Sequence, residues 1–242
     1  MTRKSGLILL ILLCLAFGLT AWFMPVSHNI VRLLFIEDAC WTVSWLIFAW
    51  TSFKLKRAEY PVKAMAVTLA VEIYLFYHYT IRTSWPFDHW LLINYLLWPL
   101  SSCINLVATY LYGREELVSG GKRSSFFVRL IFETGMYILI FWYAAGSIPQ
   151  NLVMVFLGQT VIGMISLYFL TRTLSDRDPG SRSLAGNLFR MAGGILCYYA
   201  NSVIWKDEHG SLAYLRILMP VVMMMDLVTV LKIAFTSQIK EE

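Results

Sequence analysis

Eight stretches of about twenty mostly apolar residues, separated by short polar connections, run the length of this chain. A backbone enclosed by lipid must satisfy its own hydrogen bonds, and a helix does so within a single segment. The pattern therefore calls for a bundle of membrane-crossing helices and leaves few residues for a separate soluble domain. Composition agrees: 58% of residues are hydrophobic, 14% are charged and mean hydropathy is +0.63, beyond the range of soluble domains. The expected fold class is all-α, a polytopic transmembrane bundle of seven to eight helices forming one domain over residues 1–242.

The expected spans are 6–24, 39–53, 61–81, 89–112, 126–145, 150–171, 184–205 and 212–235. The first follows Arg3 and Lys4 and is long enough to cross, so residues 1–25 read as an additional helix or an uncleaved signal anchor. Glu37 and Asp38 precede the second span, and at the outer interface acids are cheap. Pro61 opens the third, where its missing N–H does no harm. Asp176 to Gly180 reads as an ordinary turn. Of the 20 Lys and Arg residues, 16 fall on one side of this layout, Arg190 counted among them. By the positive-inside rule both termini are cytoplasmic, which requires an even number of spans. The expected location is a bacterial inner membrane or the endoplasmic reticulum, with the chain integral and multi-pass.

The net charge of +5 is spread between apolar segments, so membrane lipids are expected partners and nucleic acid is not. Four cysteines, Cys14, Cys40, Cys103 and Cys197, form no CxxC and have no His at metal spacing. Neither a disulfide framework nor a metal is expected.

Two acids stand out against this apolar background. Glu72 lies at the centre of the third span and Asp226 within the last, where an ionisable group is a functional-site hypothesis by default. At 1.5 Å per residue they lie roughly 16 to 21 Å from the faces at which their spans enter, so both are near the midplane. The structural reading of each is a neutral carboxylic acid tying two helices together. The functional reading is a neutral acid able to deliver a proton to an apolar acceptor. Many rings surround them, most at the interfaces or in packing. Phe76, Tyr79 and Trp98 are the candidates for a substrate-lining wall that steadies a cation. Gln159 is a candidate polar contact, although Gln159, Asn105 and Glu133 read first as groups that bond helix to helix. An Asp-Asp-x-x-Asp run, a Gly-x-Ser-x-Gly elbow and a phosphate-binding glycine loop are all missing, and no cofactor is expected.

In these features the chain resembles the small integral-membrane terpene cyclases of the pyripyropene and paspaline type, found in fungal and bacterial meroterpenoid and indole-terpenoid pathways. The resemblance rests on chain length and on an early glutamate and a last-span aspartate 154 residues apart, Glu72 and Asp226. It rests also on Tyr-Leu-Tyr-Gly113-Arg-Glu after the next span, on Thr171-Arg-Thr-Leu leading to Pro179-Gly-Ser-Arg-Ser183, and on Gly193-Gly194. It covers residues 54–242. The chain departs from the family in having Val71 where members usually carry Trp, and Ser101-Ser102 near a position where an acid is often seen.

The resemblance implies proton-initiated, metal-independent cyclisation of a lipophilic polyprenyl substrate of farnesyl or geranylgeranyl type. Glu72 and Asp226 carry over as catalytic residues, and either could supply the proton. The alternative class is a small proton- or cation-coupled membrane transporter using the same two acids. Against transport stands the lack of an internal repeat.

Overall fold

The computed structural model describes residues 12, 15, 19, 29–77, 89–113, 123–147, 153–204 and 215–238. Among the described residues are seven α-helices, one 3-10 turn and no strand. In order they are α1 (Asn29–Leu55), α2 (Val62–Tyr77), α3 (His89–Tyr112), α4 (Arg123–Gly146), α5 (Val153–Ser175), the turn Pro179–Ser181, α6 (Leu184–Ile204) and α7 (Leu215–Gln238). The all-α bundle expected from the apolar runs is the fold found. The expected span 6–24 lies outside the described residues except for Leu12, Leu15 and Leu19, which are helical and exposed. Among the described residues, three segments are long and apolar enough to cross a membrane: Arg32–Leu55, Ser125–Gly146 and Ile217–Ser237.

Apolar and polar residues are distributed as a bundle in lipid requires. Val128, Ile131, Phe132 and Leu139 of α4 are exposed, and Tyr143 is 83% exposed. Arg190 and Asp226 are 0% and 1% exposed. Buried hydroxyls cost little here because they bond back to their own helix. Thr42 donates to Asp38 O at 2.9 Å, Ser52 to Phe48 O at 2.7 Å, Thr68 to Ala64 O at 2.9 Å and Thr229 to Met225 O at 2.8 Å.

Helix α1 runs between α6 and α3, α5 packs against α7 and α2, α2 packs on α4, and α6 on α7. α1 and α6 are antiparallel: Ser44 Oγ donates to Gly186 O at 2.8 Å, and further along Gly193 meets Trp41. A Cβ at Gly193 would lie 2.8 Å from the Trp41 ring, so a residue without a side chain is what admits the indole.

The second span differs from its expected start. α1 begins at Asn29 and takes in Glu37 and Asp38, which are 6% and 4% exposed. Both are enclosed by the bundle.

One end of the bundle is closed by charge. Lys56 takes a left-handed conformation (φ 51°), and Arg57 N–H then reaches back to Ser52 O at 3.2 Å, ending α1. This turn buries Glu59, whose carboxylate accepts from Arg57 Nε at 2.7 Å and from Ser183 N–H at 3.0 Å. Arg172 and Arg182 donate to Ala58 O at 2.6 and 2.9 Å. Arg182 Nε also donates to Asp176 at 2.6 Å, and Asp176 accepts the Asp178 N–H at 3.1 Å, forming the turn expected there. Burial alone would raise the Asp176 carboxyl. The Asp178 N–H and the Arg182 charge outweigh it and hold the group below the usual carboxylate range. Thus the connection after α1 and the connection after α5 meet at the same end.

Candidate functional site

Two polar layers cross the bundle, and the antiparallel pairing of α5 with α6 sets their spacing. In one, Ser166 of α5 accepts from Arg190 of α6 at 2.8 Å; in the other, Gln159 Nε2 of α5 stands 2.7 Å from Cys197 Sγ of α6. Seven residues separate the layers on both helices, roughly 10 Å.

The first layer holds Asp226. Arg190 Nη1 donates to Asp226 Oδ1 at 2.5 Å, Arg190 Nη2 stands 3.4 Å from Asn187 Oδ1, and the guanidinium lies 4.3 Å over the Phe169 ring. Asp226 is therefore one half of a fully enclosed ion pair with Arg190. Arginine carries its charge at any ordinary pH, and here a carboxylate, a hydroxyl and a ring face receive it.

Glu72 is placed differently. Its Oε1 accepts from Ser102 Oγ of α3 at 2.5 Å, and the residue as a whole is half-buried. Its neighbours Ile73 and Phe76 are 50% and 64% exposed, so this side of α2 opens outward. The two acids nevertheless share a height. Asn105, one turn beyond Ser102 on α3, donates to Trp45 O of α1 at 2.9 Å. One turn before Trp45, Trp41 meets Gly193 of α6, and a Cβ at Gly194 would lie 3.6 Å from Asp226 Oδ2. The structure matches their levels but gives each carboxyl its own partner, with α5 packed against both helices.

Rings fill the space between these partners. Trp45 packs against Trp98, Tyr60 and Trp41 with centroids 5.7, 6.4 and 6.4 Å apart. Tyr60 packs on Phe48 at 6.2 Å and on Phe169 at 5.5 Å. Tyr60 stands in the connection before α2 and its hydroxyl meets Thr68 Oγ1 at 2.6 Å. Burial pushes that hydroxyl well above its ordinary range, the Thr68 bond and the Arg190 charge opposing and the Glu72 charge adding.

Of the residues picked from the sequence, Trp98 joins this ring cluster. Phe76 is exposed on the outer side of α2, and Gln159 is in the Cys197 layer. Tyr79 lies outside the described residues. Asn105 bonds α3 to α1 as expected. Glu133 does not bridge helices: it pairs with Arg129 four residues earlier at 2.9 Å, on the partly exposed side of α4.

The chain matches no family model, no curated protein and no solved structure.

Two groups central to the site are absent from the expectation. Arg190, counted above as a topology marker, is the most buried charge in the ion pair; its signal was a cation already inside an expected span, next in sequence to a span bearing an unmatched aspartate. Ser102 was visible only as a departure from a family pattern. Among the described residues no cluster of His, Cys, Asp and Glu is arranged to hold a metal ion.

Proposed function

We propose that the chain is a multi-pass membrane enzyme, with both termini cytoplasmic, that starts ring closure of a polyprenyl-bearing substrate by protonating its terminal alkene or epoxide. The observation that carries this reading is the setting of Glu72. It is an acid in an apolar helix whose partner among the described residues is a hydroxyl and not a cation, on a side of α2 where Ile73 and Phe76 are exposed. A substrate dissolved in lipid reaches such a carboxyl laterally, and the absence of a neutralising cation leaves the acid able to hold and give up a proton.

In this mechanism Glu72 adds its proton to the terminal alkene carbon, or to the epoxide oxygen as its C–O bond opens. The cation formed is closed by internal alkenes of the same chain. Loss of a proton from the final cation ends the reaction, so the product is an isomer of the substrate. Ser102 orients the Glu72 carboxyl and stabilises the carboxylate left after donation. Rings beside it, Trp98 and Trp45, offer faces to passing positive charge. Asp226, engaged by Arg190, supplies a fixed negative charge at the same height and not the starting proton.

A second reading, proton-coupled transport, is favoured by one observation, the enclosed Arg190–Asp226 pair, since such pairs also serve proton relays. One experiment separates the two. Purified protein in lipid nanodiscs is given farnesyl- and geranylgeranyl-bearing substrates, as alkenes and as epoxides, in D2O, and products are read by mass spectrometry. The enzyme gives a cyclised isomer, with one solvent deuteron on carbon from the alkene, and Glu72→Gln gives none. No product from any substrate, together with proton flux in proteoliposomes, would replace the cyclase by the transporter.

A further inference from the structure

Helix α4 carries charge on a side that its own chain leaves open. Of the three membrane-length segments among the described residues, Ser125–Gly146 is the least covered. It packs on α2 and only lightly on α5. On its open side Arg129, Phe132, Met136, Leu139 and Tyr143 follow one another at intervals of three, four, three and four residues, and all five are exposed. That is the spacing of a seam along which one helix meets another.

Hydrocarbon suits the last four members of this seam. It does not suit the first. Arg129 Nε donates to Glu133 Oε1 at 2.9 Å, and the two side chains remain 51% and 23% exposed. Glu133 lies eight residues beyond Ser125, about 12 Å along the helix axis, in a hydrocarbon layer about 30 Å thick. Charged groups at such depth are found facing protein or water. A protein surface that covers this pair must offer charge in return. Residues 6–24 contain no charged residue. A second copy of the chain, inserted in the same direction, brings its own Arg129 within one helical turn of Glu133. The exchange is mutual, as a two-fold interface requires.

We infer that the exposed face of α4 is the contact surface of a homodimer. In it the Arg129–Glu133 pairs of two copies join into one cluster of four charges, and Phe132, Met136, Leu139 and Tyr143 pack across the two-fold axis. Each carboxylate gains a second guanidinium, and the pair leaves lipid on the side that its own chain does not cover. This surface is independent of the reading given to Glu72, because it uses none of the residues on which that reading rests.

Chains labelled with donor or acceptor dyes, reconstituted together in liposomes and then diluted with lipid, read the dimer by energy transfer. Wild type should show transfer that fades on dilution. Arg129→Glu and Glu133→Arg each place four like charges at the contact and should each weaken self-association by about tenfold or more. Mixed in equal amounts, the two variants should recover transfer, because each supplies the sign that the other lacks. A pair acting only within its own helix gives no such recovery. Wild type without transfer, variants that associate as wild type does, or a mixture no better than its components would each overturn the inference. Where a charge variant fails to fold, Leu139→Cys decides, since it keeps the ion pair. It should give a disulfide-linked dimer that wild type, with its exposed Cys103, does not give. Failure to form that dimer overturns the inference, and a disulfide closed to Cys14 of the same chain would assign this face to residues 6–24 instead.

Discussion

Replacing Arg190 with methionine removes a cation that is wholly enclosed and leaves Asp226 behind it. The guanidinium donates to Asp226 at 2.5 Å and to Ser166 at 2.8 Å, and it covers the Phe169 ring at 4.3 Å. Breaking a buried ion pair by deleting one partner costs about 3–5 kcal/mol, because the remaining charge is uncompensated. That corresponds to roughly two to three and a half decades in the folding equilibrium. Were Asp226 a neutral acid sharing only an interhelical hydrogen bond, the loss would be about 0.6 kcal/mol, with roughly 1.7 as an upper bound. The two cases are well separated. Asp226→Leu combined with Arg190→Met removes both charges, and apolar replacement of a whole pair is often neutral or stabilising. The double variant should therefore be more stable than Arg190→Met alone. The assay is reversible unfolding in mixed micelles with increasing SDS, run on wild type, both single variants and the double. A single-variant loss below about 1.7 kcal/mol, or a double-variant loss equal to the sum of the singles, would refute the ion-pair account.

Other consequences are simpler to read. Gly180 lies against α7, where an added Cβ would be 2.6 Å from Ser237 N and Thr236 C; backbone cannot yield there, so Gly180→Ala should lower stability by about 1–3 kcal/mol in the same unfolding assay. Gly135 has nothing within 4 Å of such a Cβ, and Gly135→Ala should instead stabilise α4 by up to about 1 kcal/mol. Ser102→Ala removes the hydroxyl bonded to Glu72 and should reduce stability by about 1 kcal/mol, while slowing cyclisation more than it weakens substrate binding. Asp176 is held below its ordinary range in the fold. Its contribution is complete above the unfolded-state value of about 3.9 and fades as pH falls through the lower folded-state value. Asp176→Asn should flatten that acid limb of a stability–pH curve and leave its slope above about pH 5 unchanged.

The helices were legible because lipid allows few alternatives: apolar runs of the right length fix an all-α bundle and, within a few residues, its helices. The common level of the two acids was legible too, since helical rise is constant, and the contact ladder through Ser102, Asn105, Trp41 and Gly194 puts Glu72 level with Asp226. Partners were not. Whether an acid in an apolar run meets a cation, a hydroxyl or another acid depends on which helices adjoin, and sequence spacing does not carry that. Arg190 therefore passed for a topology signal alone. The family-like glycines show the same limit: Gly113, Gly180 and Gly193 mark close approaches to Ala58, to α7 and to Trp41, a packing reason that a motif match leaves unstated.

The central claim is that Glu72 gives the starting proton. Glu72→Gln keeps the side chain's shape and its contact with Ser102 but cannot supply an acid proton. Turnover of a polyprenyl substrate should fall below detection in this variant while its unfolding curve stays within about 1 kcal/mol of wild type. Undiminished cyclisation by a folded Glu72→Gln protein would contradict the account and move the acid elsewhere in the bundle.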